Sequence, residues 1–173
     1  MLGVEIVVSQ RERSPFPVDA VVLEDDTYSV LGADPVVRPS TEHPIRVWTA
    51  LQDVVAATPG SVIVRRGRPL RLLAVVHDLS AEPTWREEWI AEALREIVRT
   101  VDARRIRSLA LPPLGAVHGR LPPERFASLL RAALDAGAPS TLVRIWIVAP
   151  AGLREPLDEA IAAAADPAGA APP

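Results

Sequence analysis

Apolar residues along this chain fall into two alternating patterns. Short, largely β-branched runs recur at 4–8, 18–23 (VDAVVL), 62–66, 72–76, 106–111 and 142–149 (LVRIWIVA). Such runs predict strands, several of them buried on both sides. Between the runs, apolar positions recur three and four residues apart. Ser40 or Thr41 can cap a helix carrying Ile45, Trp48, Leu51 and Val55, ended by Pro59-Gly60. Thr84 followed by Glu87 reads as a capping box, opening a helix whose apolar face is Ile90, Ala93, Leu94, Ile97 and Val101. Pro122 or Pro123 suits the first turn of another helix, where an N–H is not needed. Its apolar face is Phe126, Leu129, Leu130, Ala133 and Leu134, and Gly137 is expected to end it. A last helix is predicted over 153–165.

Strands alternating with helices predict an α/β fold, a mixed, mostly parallel sheet with helices on both faces. Residues 1–165 read as one domain. The low-complexity end, DPAGAAPP (166–173), reads as a disordered tail.

Composition narrows the functional classes. A length of 173 residues, 49% of them apolar, suits a globular chain that buries a core without staples. There is no cysteine, which excludes disulfides and thiolate metal sites. No signal peptide and no membrane-spanning run is read, so the expectation is a cytoplasmic protein without membrane contact. A formal charge of −3 gives no strong nucleic-acid signal. The chain also has no lysine and no asparagine, so every basic side chain other than histidine is Arg.

The stretch LALPPLGAVHGRLPPERF (109–126) concentrates backbone control between one strand and one helix. In α/β sheets, ligands sit beyond the carboxyl ends of the strands. Gly115 and Gly119 allow left-handed dihedrals, successive N–H groups in such a loop can form an anion nest, and Arg120 adds a full charge. Because Pro122 and Pro123 lack an N–H, donors must come mainly from 116–121. The pattern fits a phosphate cradle, but by itself it favours a tight turn that needs glycine geometrically and binds nothing.

Three segments in the same order resemble the macro-domain family. RIRSLALPPLGAVHGRLPPERFASLLRAAL resembles its strand, "SIAFPAIGTG" loop and helix; VDAVVLEDD sits where the family has "VDAIVNAAN"; and GSVIVRRGRPLRLLAVVHDLS resembles the segment ending in "VIHAVGP". The resemblance covers roughly residues 4–150. It implies a three-layer α/β/α sandwich whose usual ligand is ADP-ribose, with some members hydrolysing ADP-ribose derivatives. Gly115, Ala116, Val117, His118 and Gly119 then match the second phosphate loop. Leu23, Glu24, Asp25 and Asp26 fall on the Asn-Ala-Ala-Asn positions, with Asp26 on the second Asn. Gly32 and Ala33 are what remains of the first phosphate loop. The family's Gly-Asp-Ile, whose Asp often holds adenine, falls on Ser9-Gln10-Arg11.

These departures carry weight. Asn both donates to and accepts from a ribose hydroxyl, whereas an ionised carboxylate only accepts. The resemblance therefore implies a domain that binds ADP-ribose or a related nucleotide through Gly115–Arg120, with Asp26 and Gly32, and without robust hydrolysis. The alternatives are a ligand-free scaffold for protein contact and an atypical hydrolase using Asp26 or His118. No cofactor and no metal is expected, although Glu24, Asp25 and Asp26 could hold a divalent ion if they are not simply a solvated acidic loop. His77 reads as structural and His43 as a surface residue. Trp48, Trp85, Trp89 and Trp146 read as core or interface, and Tyr28 as a residue able to stack on a base. Arg65, Arg66, Arg68 and Arg71 read as a solvated hairpin that discourages strand pairing.

Overall fold

A computed structural model describes residues 3–29, 56–116 and 120–165. The elements are β1 (Glu5–Gln10), β2 (Ala20–Asp26), β3 (Val62–Arg65), β4 (Leu70–His77), α1 (Glu87–Ala103), β5 (Ser108–Leu111), α2 (Pro123–Gly137), β6 (Arg144–Ala149) and α3 (Arg154–Ala165). The strands form a six-stranded sheet in the order β1-β6-β5-β2-β4-β3. All neighbours are parallel except β3 and β4. This is the mixed, mostly parallel sheet expected from the strand pattern, with β5 in its interior. The expected helix over 41–58 lies largely, and the tail over 166–173 entirely, outside the described residues.

Period-two alternation explains why the strands read as continuous apolar runs. Leu72, Ala74, Val76, Leu109, Leu111, Ile145 and Ile147 join the core shared with the helices. Leu73, Val75, Ala110 and Trp146 point to the opposite face and are buried as well. A parallel sheet buried on both faces needs apolar residues at successive positions. The three described helices pack side by side, α1 on α2 and α2 on α3. They present Ile90, Leu94, Ile97 and Val101 from α1 and Phe126, Leu130 and Ala133 from α2.

Two helix ends differ from expectation. Thr84 and Glu87 do not form a capping box: the N-cap is Arg86, with no side-chain cap bond. The Glu87 carboxylate instead accepts hydrogen bonds from the Arg125 guanidinium in α2, so tertiary pairing displaces the local cap. Gly137 is not the left-handed terminator either, because Ala138 takes that role at φ 37°. A Cβ on Gly137 would lie 2.4 Å from Val98 Cγ1, so this glycine lets α2 approach α1.

At the amino-terminal edge, Asp19 pins β2 to β5. Its Oδ2 accepts from the N–H groups of Arg107 (3.0 Å) and Ser108 (2.9 Å) and from Ser108 Oγ (2.9 Å). Partial burial works to raise the Asp19 pKa, but the Ser108 hydroxyl, the two backbone bonds and the Arg107 charge together bring it below the usual 3.8. A depressed folded pKa means the contribution is present above the unfolded pKa and is lost as pH falls through the folded one. Asp19→Ala should therefore destabilise the fold by about 1 kcal/mol at neutral pH. The difference from the parent should shrink below about pH 4 in urea titrations. A deficit that stays constant down to about pH 2.5 would contradict this account.

Candidate functional site

Chain order and strand order part company between β2 and β5. The chain leaves β2 for β3 and β4 on one side, and leaves β5 for β6 on the other. This is the topological switch where a doubly wound sheet opens a crevice at its carboxyl edge. The ladder between the two strands is short. The β2–β5 ladder holds only Ala20↔Leu109 and Val21↔Ala110. Beyond Val21, β2 continues along β4 as far as Asp26↔His77, past a register shift between Asp25 and Asp26. The acidic triplet thus belongs to a strand end rather than to a solvated loop, and Asp25 and Asp26 are fully buried.

Glu24 bridges the opening. Its Oε1 accepts a hydrogen bond from the Gly115 N–H across 91 residues of sequence. Its Oε2 lies 3.4 Å from His77 Nε2 on β4. The Glu24 and His77 side chains are only 10% and 3% exposed. Asp25 Oδ1 accepts from the Asp26 N–H (2.9 Å), and Asp26 Oδ1 from the Tyr28 N–H (2.8 Å), which turns the chain away from the strand. Tyr28 is 48% exposed at that turn, where it can offer a ring face.

The opposite wall is the loop after β5. Gly115 sits at φ 77° and Arg120 at φ 58°. A Cβ on Gly115 would lie 2.3 Å from Ile90 Cδ1 and 3.4 Å from Leu121 Cβ, so this glycine serves close packing on α1 as well as the turn. The loop closes on itself, with Ala116 N–H bonding Pro113 O (3.0 Å) and Leu121 N–H bonding Gly115 O (2.9 Å). The N–H groups of 115, 116 and 121 are therefore engaged within the fold. Arg120 is exposed at the rim. Gly32, Val117, His118 and Gly119, along with His43 and Trp48, lie outside the described residues.

Along the same edge, a cavity of about 370 Å³ opens at the ends of β1 and β6 and the start of α3, lined by Ser9, Gln10, Arg13, Gly152, Arg154 and Glu155. Its volume is within the range of small-molecule sites. Ser9 and Gln10 were singled out from the sequence. Arg13, Arg154 and Glu155 were not, since nothing in their local pattern joins residue 13 to residue 154. Trp146, buried as expected, donates its indole N–H to Ser9 O (3.3 Å) and supports this wall. Trp85 packs partly buried against the core, and the Arg86 guanidinium stands 5.4 Å from the Trp89 ring centre. Among the described residues no group of three or more His, Asp or Glu is placed to hold a metal ion.

No family model matches the chain. A curated relative, the DNA ADP-ribosyl glycohydrolase of Thermus aquaticus, is 26% identical over 140 residues. The alignment takes in 78% of this chain but only 38% of that protein's length. Among solved structures, the macrodomain of Thermus aquaticus DarG superposes with a TM-score of 0.59 at 23% identity, covering 86% of this chain and 99% of that one. The Oceanobacillus iheyensis macrodomain with ADP gives 0.61 at 15% identity, covering 91% and 88%. At these identities the likeness is one of fold.

Proposed function

Because this chain has the macrodomain fold in divergent form, we propose that it binds ADP-ribose or a related nucleotide in the crevice between β2 and β5, with the 115–120 loop as its phosphate wall. The observation that carries this reading is the topological switch itself. The strand end at Glu24–Asp26 and the loop at Leu114–Arg120 flank one opening, and Glu24 locks them together. The ADP named with the Oceanobacillus iheyensis structure supports a ligand of this class on this fold. Gln10, with Arg13 and Arg154 beside it, takes the base end in this reading.

The same geometry argues for binding over turnover. The Asp26 carboxylate is buried and accepts a backbone N–H within its own turn. A general base must instead reach the proton it removes. The hydrolase reading draws its support from the name of the Thermus aquaticus relative, and turnover abolished by Asp26→Ala or His118→Ala in a folded protein would favour it.

Calorimetric titration with ADP-ribose, ADP, AMP and NAD tests the proposal. ADP-ribose is expected to bind, and Arg120→Ala to weaken it about tenfold, or about 1.4 kcal/mol. Because the removed interaction is Coulombic, the loss should shrink as salt rises. Absence of nucleotide binding at millimolar concentration would refute the proposal and leave the scaffold reading.

A further inference from the structure

Eight of the 19 arginines gather at one edge of the sheet, which net charge conceals. Arg65 ends β3, Arg66 and Arg68 lie in the β3–β4 turn, and Arg71 is the second residue of β4. Arg104, Arg105 and Arg107 link α1 to β5, and Arg144 opens β6. Because β3 alone is antiparallel, all eight fall at the amino-terminal edge of the sheet, opposite the crevice. The first seven are exposed. Arg144 is half-buried, its guanidinium 4.3 Å from the Phe16 ring centre.

Among the described residues the arginines at this edge outnumber the acidic groups there, of which Glu5 is in register with Arg144 on β6. Glu5 opens β1. Asp19 accepts from the Arg107 and Ser108 backbone and the Ser108 hydroxyl and also faces the Arg107 charge, and Asp102 accepts from Ser140. Two arginines, Arg65 and Arg71, face each other on one rung of the β3–β4 ladder, where like charges repel. Edge protection accounts for arginines on β3, and the carboxyl end of α1 favours cations at 104 and 105. Neither accounts for Arg68 in the β3–β4 turn. From β3 to β5 the row crosses three strand spacings, about 14 Å. A spread row of guanidinium groups suits a repeating line of phosphates better than one small anion, and duplex DNA presents a charge about every 1.7 Å.

We propose that this edge is a docking surface for a nucleic-acid phosphodiester backbone, read by charge rather than by base. It is separate from the crevice and does not depend on the ligand proposed there. Fluorescence anisotropy of the full chain with a labelled duplex of about 20 base pairs tests it. Binding is expected at 50 mM salt, weakening about a hundredfold by 200 mM if four phosphates are engaged. Arg66→Glu combined with Arg68→Glu should weaken it more than tenfold and flatten the salt dependence. Arg104→Glu should do so on its own, in a different element. Both variants should keep the parent's thermal transition and its response to ADP-ribose, and Arg120→Ala should leave duplex binding unchanged. The proposal is overturned if the parent does not bind at 50 mM salt, if only Arg120→Ala weakens binding, or if polyglutamate displaces the duplex at equal charge concentration.

Discussion

Gly115→Ala is expected to destabilise the fold by about 3 kcal/mol, from left-handed strain of about 1–2 kcal/mol and overpacking of about 1–3 kcal/mol. The backbone stands at φ 77°, and the new Cβ would meet Ile90 Cδ1 at 2.3 Å, with Ile90 itself fully buried. Leu121 Cβ lies 3.4 Å from the same position. The two causes separate experimentally. Ile90→Val removes the Cδ1 atom, at its own cost of about 0.5–1.5 kcal/mol. The double variant should therefore be more stable than the sum of the singles by about 1–2 kcal/mol, the remaining deficit being dihedral strain. Urea denaturation of the four proteins measures the coupling. Strict additivity would show that the clash is relieved elsewhere and that strain alone accounts for the glycine.

Glu24→Ala should have a comparable effect on stability and a larger one on the crevice. The substitution leaves the Gly115 N–H, beside a buried glycine, without its acceptor, and removes the carboxylate next to His77. Losing a hydrogen bond to a charged group costs about 1.5–3 kcal/mol. The loop would also lose its tie to β2, so nucleotide binding should fall more than tenfold even where the protein remains folded. Glu24→Gln keeps an acceptor for Gly115 and should recover most of both losses. Calorimetric titration beside thermal denaturation distinguishes the outcomes. A folded Glu24→Ala that binds ADP-ribose like the parent would show that the bridge is not what shapes the loop. These two predictions differ in kind: Gly115 shapes the wall through packing on α1, and Glu24 through a polar tie across the switch point.

The opposite ends of the sheet carry opposite electrostatic characters. The carboxyl end of β2 is acidic, with Glu24, Asp25 and Asp26, the last two fully buried. In the proposed reading an anionic ligand relies on backbone donors and Arg120, with Arg13 and Arg154 in the neighbouring cavity, rather than on these carboxylates. This sets a concrete expectation for engineering: charge added at the rim should raise nucleotide affinity more than charge removed from these carboxylates, each of which already has a structural partner.

Local pattern determined the elements and much of their limits. Apolar runs marked the six described strands, helical spacing marked Ile90 to Val101 and Phe126 to Leu134, and Pro122-Pro123 marked the start of α2. These features depend on residues within a turn or two of one another, so period and cap chemistry suffice to read them. The placement of a glycine loop between β5 and α2 was legible for the same reason. What the tertiary structure decided involves partners far apart along the chain. Glu24 reads as one member of an acidic run until the fold brings Gly115 to it from 91 residues away. Gly137 reads as a helix stop until Val98 is seen across the α1–α2 contact, and Glu87 as a capping residue until Arg125 competes for it. The basic edge is spread over residues 65–144 and sums to nothing unusual in net charge. Only the strand order, with β3 alone antiparallel, collects those arginines at one end, because an electrostatic field depends on position and composition does not.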